Sequence, residues 1–325
     1  HEGGDWCDRI PRVGVPGERS EWSCAYRSGK RLGSSLHEEK ANARTGSYPT
    51  NLTNFGEHFE FFSREPENNW MHDWNHVMVR YCDGGSFSGT SRKRVRAEGK
   101  AKGEVTLYFR GKAVSGAIMT DMLSKRGLAE ATDVVVAGSS AGGLGVMMQG
   151  DDWTAALTTH ARMQDRLPPR VVLLIDSGFF PAYQAHNVKC RYKERMAAVF
   201  KLHKPSSTTL RKCRKANPIE PWLCMFGSRL LPHIQTEYFA YLSAFDSWGI
   251  PRVLCADSEA EINKLGGAFR HEVLASFRAS DGAHVNGIYI DPCRHHTKCW
   301  SHMQVDGDSP QSAFYKWYHG RSEQR

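Results

Sequence analysis

The 325-residue sequence has no apolar run near the roughly 18 residues that a membrane-spanning helix needs, so the chain is not expected to be embedded in a bilayer. Paired CxxC motifs at zinc spacing are also missing, which removes a zinc-ribbon or zinc-finger reading of its cysteines. There is no RNP-type aromatic strand pattern or other nucleic-acid module, and nucleic acid is not an expected partner. Repeats and low-complexity tracts are absent, which argues against a solenoid or a disordered array. No charged-then-apolar leader opens the chain, whose first residue is His1, and we expect a signal segment to lie outside it.

Nine cysteines are many for a cytosolic enzyme of this size, and without metal spacing they point to disulfides and a secretory-pathway compartment. Nine is odd, so at least one is left over, and Cys24 is placed to staple the early polar stretch back to Cys7. The sequon Asn51-Leu52-Thr53 agrees with secretion, although such triplets also arise by chance. The formal charge is +8, with basic clusters at Arg92-Lys93-Arg94-Val95-Arg96 and Arg211-Lys212-Cys213-Arg214-Lys215. Such clusters attract polyanions, and their plain alternative is a solvated basic face.

The stretch TDVVVAGSSAGGLGVMMQGD, 132–151, passes from a β-branched segment through a Gly/Ser turn into a helix-like segment. Gly138-x-Ser140-x-Gly142 stands at the junction, the pattern of a serine hydrolase's nucleophile elbow. A tight strand-to-helix turn has no room for flanking side chains, hence Gly138, Ala141, Gly142 and Gly143, and it presents one hydroxyl beside helix N-terminal amides. The bland alternative is a glycine-rich connection without chemistry, so partners elsewhere in the chain must decide.

In chain order, His1 to Cys7 is a loop with two glycines, Gly3 and Gly4, able to bring backbone N–H groups close to an ester. A strand is expected before it, outside this chain. A polar excursion with short helices follows to about Trp70. Strands are expected at 76–82 (HVMVRYC), 104–109, around Val134, Val135 and Val136 before the elbow, 170–177 (RVVLLIDS), 237–245 and 284–290, and helices at 112–128, after the elbow, at 153–166, at 193–202 and at 259–280. This alternation predicts an α/β fold with a mostly parallel central sheet and helices on both faces, in a single domain over 1–325. Residues 190–224 form a basic, Cys-bearing insert that is a candidate cap.

A serine hydroxyl needs a contacting base and an acid to orient it. In α/β hydrolases these follow in the order Ser, Asp or Glu, His, at strand ends. Asp246 ends one candidate strand after Ser140, and His295 or His296 follows the last. Asp176 also ends a strand, but a loop-anchoring role suits it better.

The chain resembles the pectin acetylesterase/Notum family of secreted carboxylesterases over essentially its whole length. The likeness is carried by Glu2-Gly3-Gly4-x-Trp6-Cys7, Arg80-Tyr81-Cys82-Asp83-Gly84, Phe109-Arg110-Gly111, the elbow, Asp176-Ser177-Gly178-Phe179-Phe180, Ser243-Ala244-Phe245-Asp246-Ser247-Trp248 and Cys293-x-x-His296. YCDG, SAFDSW and NGIYI are closer to the plant-type members. The resemblance implies an α/β-hydrolase-like fold and Ser140 as nucleophile. Asp246 would be the orienting acid, and His296, three residues after Cys293, the base. Backbone oxyanion donors are implied at Gly4, Asp5 and Ala141. Asp5 departs from the family's usual Gly or Trp, and its carboxylate would disfavour an oxyanion if it pointed inward. No cofactor or metal is implied. The expected substrate is an acetylated, pectin-like acidic polysaccharide. The alternatives are a Notum-like protein fatty-acyl ester and a catalytically dead polyanion binder, and a secreted monomer is expected.

Overall fold

The computed structural model describes residues 1–9, 22–33, 60–98, 104–182, 190–256, 258–280 and 285–322. The sequon at 51–53 lies outside them. A four-stranded parallel sheet has the order β3 (Asp133–Ser139), β4 (Arg170–Asp176), β5 (Tyr238–Ser243), β6 (Gly287–Asp291), where β1 (Ser91–Glu98) and β2 (Glu104–Phe109) form a separate antiparallel ribbon. The helices are α1 (Cys24–Arg27), α2 (Gly111–Lys125), α3 (Ala141–Met163), α4 (Tyr192–His203), α5 (Thr208–Ala216), α6 (Gly227–Leu230), α7 (Gly249–Val253), α8 (Glu259–Arg278) and α9 (Pro310–Ser322).

The apolar run of β4 is buried on both sides, as a central parallel strand requires. Val171, Leu173 and Ile175 face one core with Leu144, Met147 and Met148 of α3 and Phe269 and Val273 of α8. Val172 and Leu174 face the other, with Phe61, Trp300 and Phe314 and Tyr318 of α9. Burying one such side chain stabilises by about 1.5–3 kcal/mol, so two faces of large residues fix the layer order. Register aligns Ser139 with Asp176, Asp176 with Tyr241, and Ser243 with Asp291. The loops that leave the strands' C-terminal ends therefore start from one edge, where open α/β sheets gather their functional groups.

Several expectations change. Residues 76–82 are not a strand: their alternation is met by Glu2, whose backbone N–H donates to Val79 C=O at 2.9 Å and whose carboxylate accepts from Tyr81 N–H at 2.8 Å. A side chain stands where a neighbouring strand would be. The basic cluster at 92–96 lies within β1, paired with β2. The elbow helix and the helix expected at 153–166 are one helix, α3. The insert at 190–224 folds as α4, α5 and a 3₁₀ turn. The last strand narrows to β6.

The Cys7–Cys24 bridge forms as expected, joined by Cys190–Cys255 and Cys213–Cys224. Cys293 and Cys299 are free thiols. A groove of about 510 Å³ follows the outer edge of β3, lined by residues including Trp74, Val79, Met122, Val134 and Val136 but neither Ser140 nor His296.

Candidate active site

Ser140 sits between β3 and α3 with φ 56° and ψ −125°, a conformation most side chains avoid. Its N–H donates to Asp176 C=O at 2.8 Å and its C=O accepts from Leu144 N–H at 3.0 Å, so both neighbours hold the turn. The glycines match the sterics. A Cβ on Gly138 would fall 2.4 Å from Gly142 C=O oxygen, and one on Gly142 would fall 2.3 Å from His1 C=O oxygen. The first residues of the chain thus press on the elbow.

His296 follows β6 and reaches back so that Nε2 lies 2.8 Å from Ser140 Oγ. Its Nδ1 lies 2.8 and 3.0 Å from the two oxygens of Asp246. The carboxylate on Nδ1 selects the Nδ1–H tautomer and leaves Nε2 as the acceptor for the serine proton. Asp246 is buried and also accepts from the backbone N–H groups of Trp248 (2.9 Å) and Gly249 at the start of α7. Ser247 N–H donates to His295 C=O at 3.0 Å, tying the acid's loop to the base's. Trp248 stacks on the His296 ring, with centroids 5.7 Å apart and planes at 29°. Trp6 and Phe180 pack edge-on against Trp248 at 6.1 and 5.6 Å.

His295, the other candidate, is turned away: its Nε2 pairs with Asp291 at 2.8 Å, and Nδ1 lies 3.3 Å from Thr297 C=O. Burial works against its charge, but the hydrogen bond and charge of Asp291 outweigh it and raise its pKa above the ordinary value. Asp176 accepts from Ser139 Oγ at 2.8 Å and Ser177 Oγ at 2.9 Å, an anchoring arrangement, and burial pushes its carboxyl up to about 6 against those hydrogen bonds.

The opening loop passes the serine closely, since a Cβ on Gly3 would lie 2.7 Å from Ser140 Cβ. Ala141 is the first residue of α3, so its N–H is an orphan donor of the helix start. Asp5 has φ 57°, a left-handed conformation natural to glycine and tolerated by Asp. Its carboxylate accepts from Trp6 N–H at 2.8 Å and Trp22 Nε1–H at 2.9 Å, with Arg195 Nη2 at 3.9 Å, so it is engaged by these groups. Among the described residues, one His/Cys cluster has ligand spacing, Cys7, Cys24 and His203, and its two sulfurs are joined in a disulfide instead of offering thiolates.

A family model described as pectinacetylesterase matches residues 1–325. The chain belongs to this family. It is 26% identical to pectin acetylesterase 7 of Arabidopsis thaliana over 347 residues, which covers 99% of this chain and 78% of that protein. Pectin acetylesterase 4 of the same plant is 30% identical over 87% of this chain and 66% of its own length. The palmitoleoyl-protein carboxylesterase Notum of Drosophila melanogaster is 27% identical over 80% of this chain and 37% of that protein. Among solved structures, the Wnt deacylase Notum from Drosophila superposes with a TM-score of 0.74 at 24% identity, covering 98% of this chain and 83% of that one. The chain therefore has the α/β-hydrolase-like fold expected of it.

Some site residues went unread in the sequence. Arg27 reaches the opening loop only through the tertiary path, and Ser177 and Tyr81, though inside quoted motifs, carried no expected role there. Trp248 stood inside a quoted motif, and its neighbour Asp246 was the visible signal.

Proposed function

We propose that this pectinacetylesterase-family chain is a serine carboxylesterase that removes O-acetyl groups from an acidic polysaccharide. The observation that carries the reading is the continuous relay from Ser140 Oγ through both nitrogens of His296 to Asp246. His296 Nε2 takes the hydroxyl proton as Ser140 Oγ bonds to the ester carbonyl carbon, and Asp246 stabilises the imidazolium. The carbonyl π pair moves onto oxygen, which the N–H groups of Gly4, Asp5 and Ala141 receive. The C–O bond to the alcohol breaks, the alcohol leaves with the His296 proton, and acetyl-Ser140 remains. Water, deprotonated by His296, bonds to that carbonyl carbon, the bond to Ser140 Oγ breaks, Oγ takes the proton back from His296, and acetic acid is released.

The family's plant members, by their names, support a pectin-like substrate. The basic ribbon agrees: Arg92, Lys93, Arg94 and Arg96 are exposed on β1, and Arg94 and Arg110 lie 5.8 and 5.1 Å from the ring centre of exposed Tyr108. The mutual packing of Trp6, Phe180 and Trp248 favours a small acyl group over a long chain. Three disulfides support an oxidising, secretory destination.

Ser140→Ala is expected to lower hydrolysis of an aryl acetate by about 10⁴-fold or more while the fold persists. Unchanged turnover by that variant would sink the reading. Rates on acyl esters from two to sixteen carbons distinguish acetyl from fatty-acyl preference. Failure of a fluorophosphonate to label Ser140 in the folded chain would favour a polyanion-binding protein without catalysis.

A further inference from the structure

Arg27 is a buried cation, 4% exposed, at the end of α1. Its Nε donates to Leu32 C=O at 2.8 Å, and its Nη2 donates to Gly4 C=O and, at 3.4 Å, to Asp5 C=O. The guanidinium lies 5.4 Å from the ring centre of Tyr81, whose hydroxyl donates to the same Asp5 C=O at 2.7 Å. Nearby glycines clear its path: a Cβ on Gly84 would lie 3.4 Å from Arg27 Nε, and one on Gly33 would lie 2.7 Å from its Cγ. Cys24, three residues before, is bridged to Cys7, two residues after Asp5.

Burying a guanidinium costs several kcal/mol unless its donors are engaged. Here Nε and Nη2 are engaged by backbone carbonyls, two of them in the loop that runs past Ser140. In a trans peptide the C=O and N–H point in opposite directions. The charge on the Gly4 carbonyl therefore turns the Asp5 N–H to the opposite side, and it draws electron density through the peptide so that this N–H donates more strongly.

We propose that Arg27 is a positioning residue that sets the direction and donor strength of the Asp5 N–H for the developing oxyanion, with Tyr81 fixing the next peptide. This rests on the reading of Ser140 as nucleophile. The interaction strengthens when negative charge forms on the carbonyl oxygen, so its loss falls on kcat and spares KM.

The test is steady-state hydrolysis of an aryl acetate by wild type, Arg27→Met, Arg27→Lys, Tyr81→Phe and Ser140→Ala, each checked by thermal unfolding. Arg27→Met is expected to lower kcat by about 10²–10³-fold with KM within about threefold, the size of a lost oxyanion donor. Arg27→Lys is expected to recover part of the rate, since it returns a charge without the fork, and Tyr81→Phe to lower kcat by about tenfold. Fluorophosphonate labelling of Ser140 is expected to slow in parallel, because the phosphonyl oxygen takes the same donors. Should Arg27→Met not fold, Arg27→Lys and Tyr81→Phe decide: both at wild-type kcat overturn the proposal. A folded Arg27→Met with wild-type kcat, or with a loss confined to KM, overturns it as well. An active Ser140→Ala instead defeats the nucleophile reading, a result distinct from a dead Ser140→Ala beside an unimpaired Arg27→Met.

Discussion

The backbone N–H of Thr297 donates to Ser177 Oγ at 3.0 Å, so the residue after His296 is tied to the residue after Asp176. Ser177 Oγ in turn donates to the Asp176 carboxylate, which also holds Ser139, the residue before Ser140. One buried carboxylate thereby braces the loops of both the serine and the histidine.

Asp176 has a pH signature. Its folded pKa, about 6, lies above the ordinary 3.8, so between these values the unfolded chain releases the proton first. Stability attributable to this group is unaffected below about pH 4, falls as pH rises, and carries the full cost above 6, on the order of 3 kcal/mol. Asp176→Asn keeps the shape without the charge, with its Nδ2 donating to one of the two serine hydroxyls where a carboxylate oxygen had accepted. Denaturant unfolding from pH 4 to 7 is expected to show the variant gaining on wild type as pH rises. A pH-independent difference would contradict the assignment.

The adjacent histidines should separate cleanly. His296→Ala is expected to reduce kcat by about 10⁴-fold or more, whereas His295→Gln should stay within about tenfold. The folded pKa of His295 is raised, so its stabilising contribution is fully present below its ordinary 6.5 and is lost as pH climbs through the folded value. His295→Gln should therefore lose more stability at pH 5 than at pH 9, read by unfolding curves.

Glycine positions offer a steric contrast. A Cβ on Gly3 would meet Ser139 C=O oxygen at 2.5 Å, while one on Gly116 in α2 meets nothing within 4 Å. Gly3→Ala should move the opening loop and cost about 10²-fold in kcat. Gly116→Ala should leave activity alone and raise stability by about 0.5–1 kcal/mol. Equal activities of the two variants would argue against the loop's role beside Ser140.

Cys190–Cys255 spans 65 residues of chain, against 17 and 11 for the other bridges. Loop-closure entropy then assigns it about 4 kcal/mol and the others about 3. Replacing both Cys190 and Cys255 by Ala should lower Tm more than the same change at Cys213 and Cys224, measured by calorimetry under non-reducing conditions.

Legibility followed burial. RVVLLID announces β4 because both faces are covered, and the elbow is readable because its contacts exclude side chains at fixed positions. By contrast, β1 carries SRKRVRAE: its exposed residues are three arginines and a lysine, and only the register with β2 makes them a strand. HVMVRYC has a strand's alternation, but its partner is one glutamate. The aromatic residues Phe314, Trp317 and Tyr318 stand at helical spacing in α9 and were a usable signal. Arg27 was not, because a single arginine in a polar stretch says nothing of which carbonyls the chain will bring to it. Ser140, Asp246 and His296 were legible by order, and their contacts depended on the sheet register.

Residues 1–8 contain no helix or strand, yet Gly3 lies against the serine with little room for even a methyl group. No strand ladder or helix holds this arc in place; the Cys7–Cys24 bridge, side chains from distant segments and single backbone hydrogen bonds such as Cys7 N–H to Gly84 C=O at 3.1 Å do. The arc is thus a loop fixed from outside itself, and the geometry beside Ser140 is a property of the path of the whole chain.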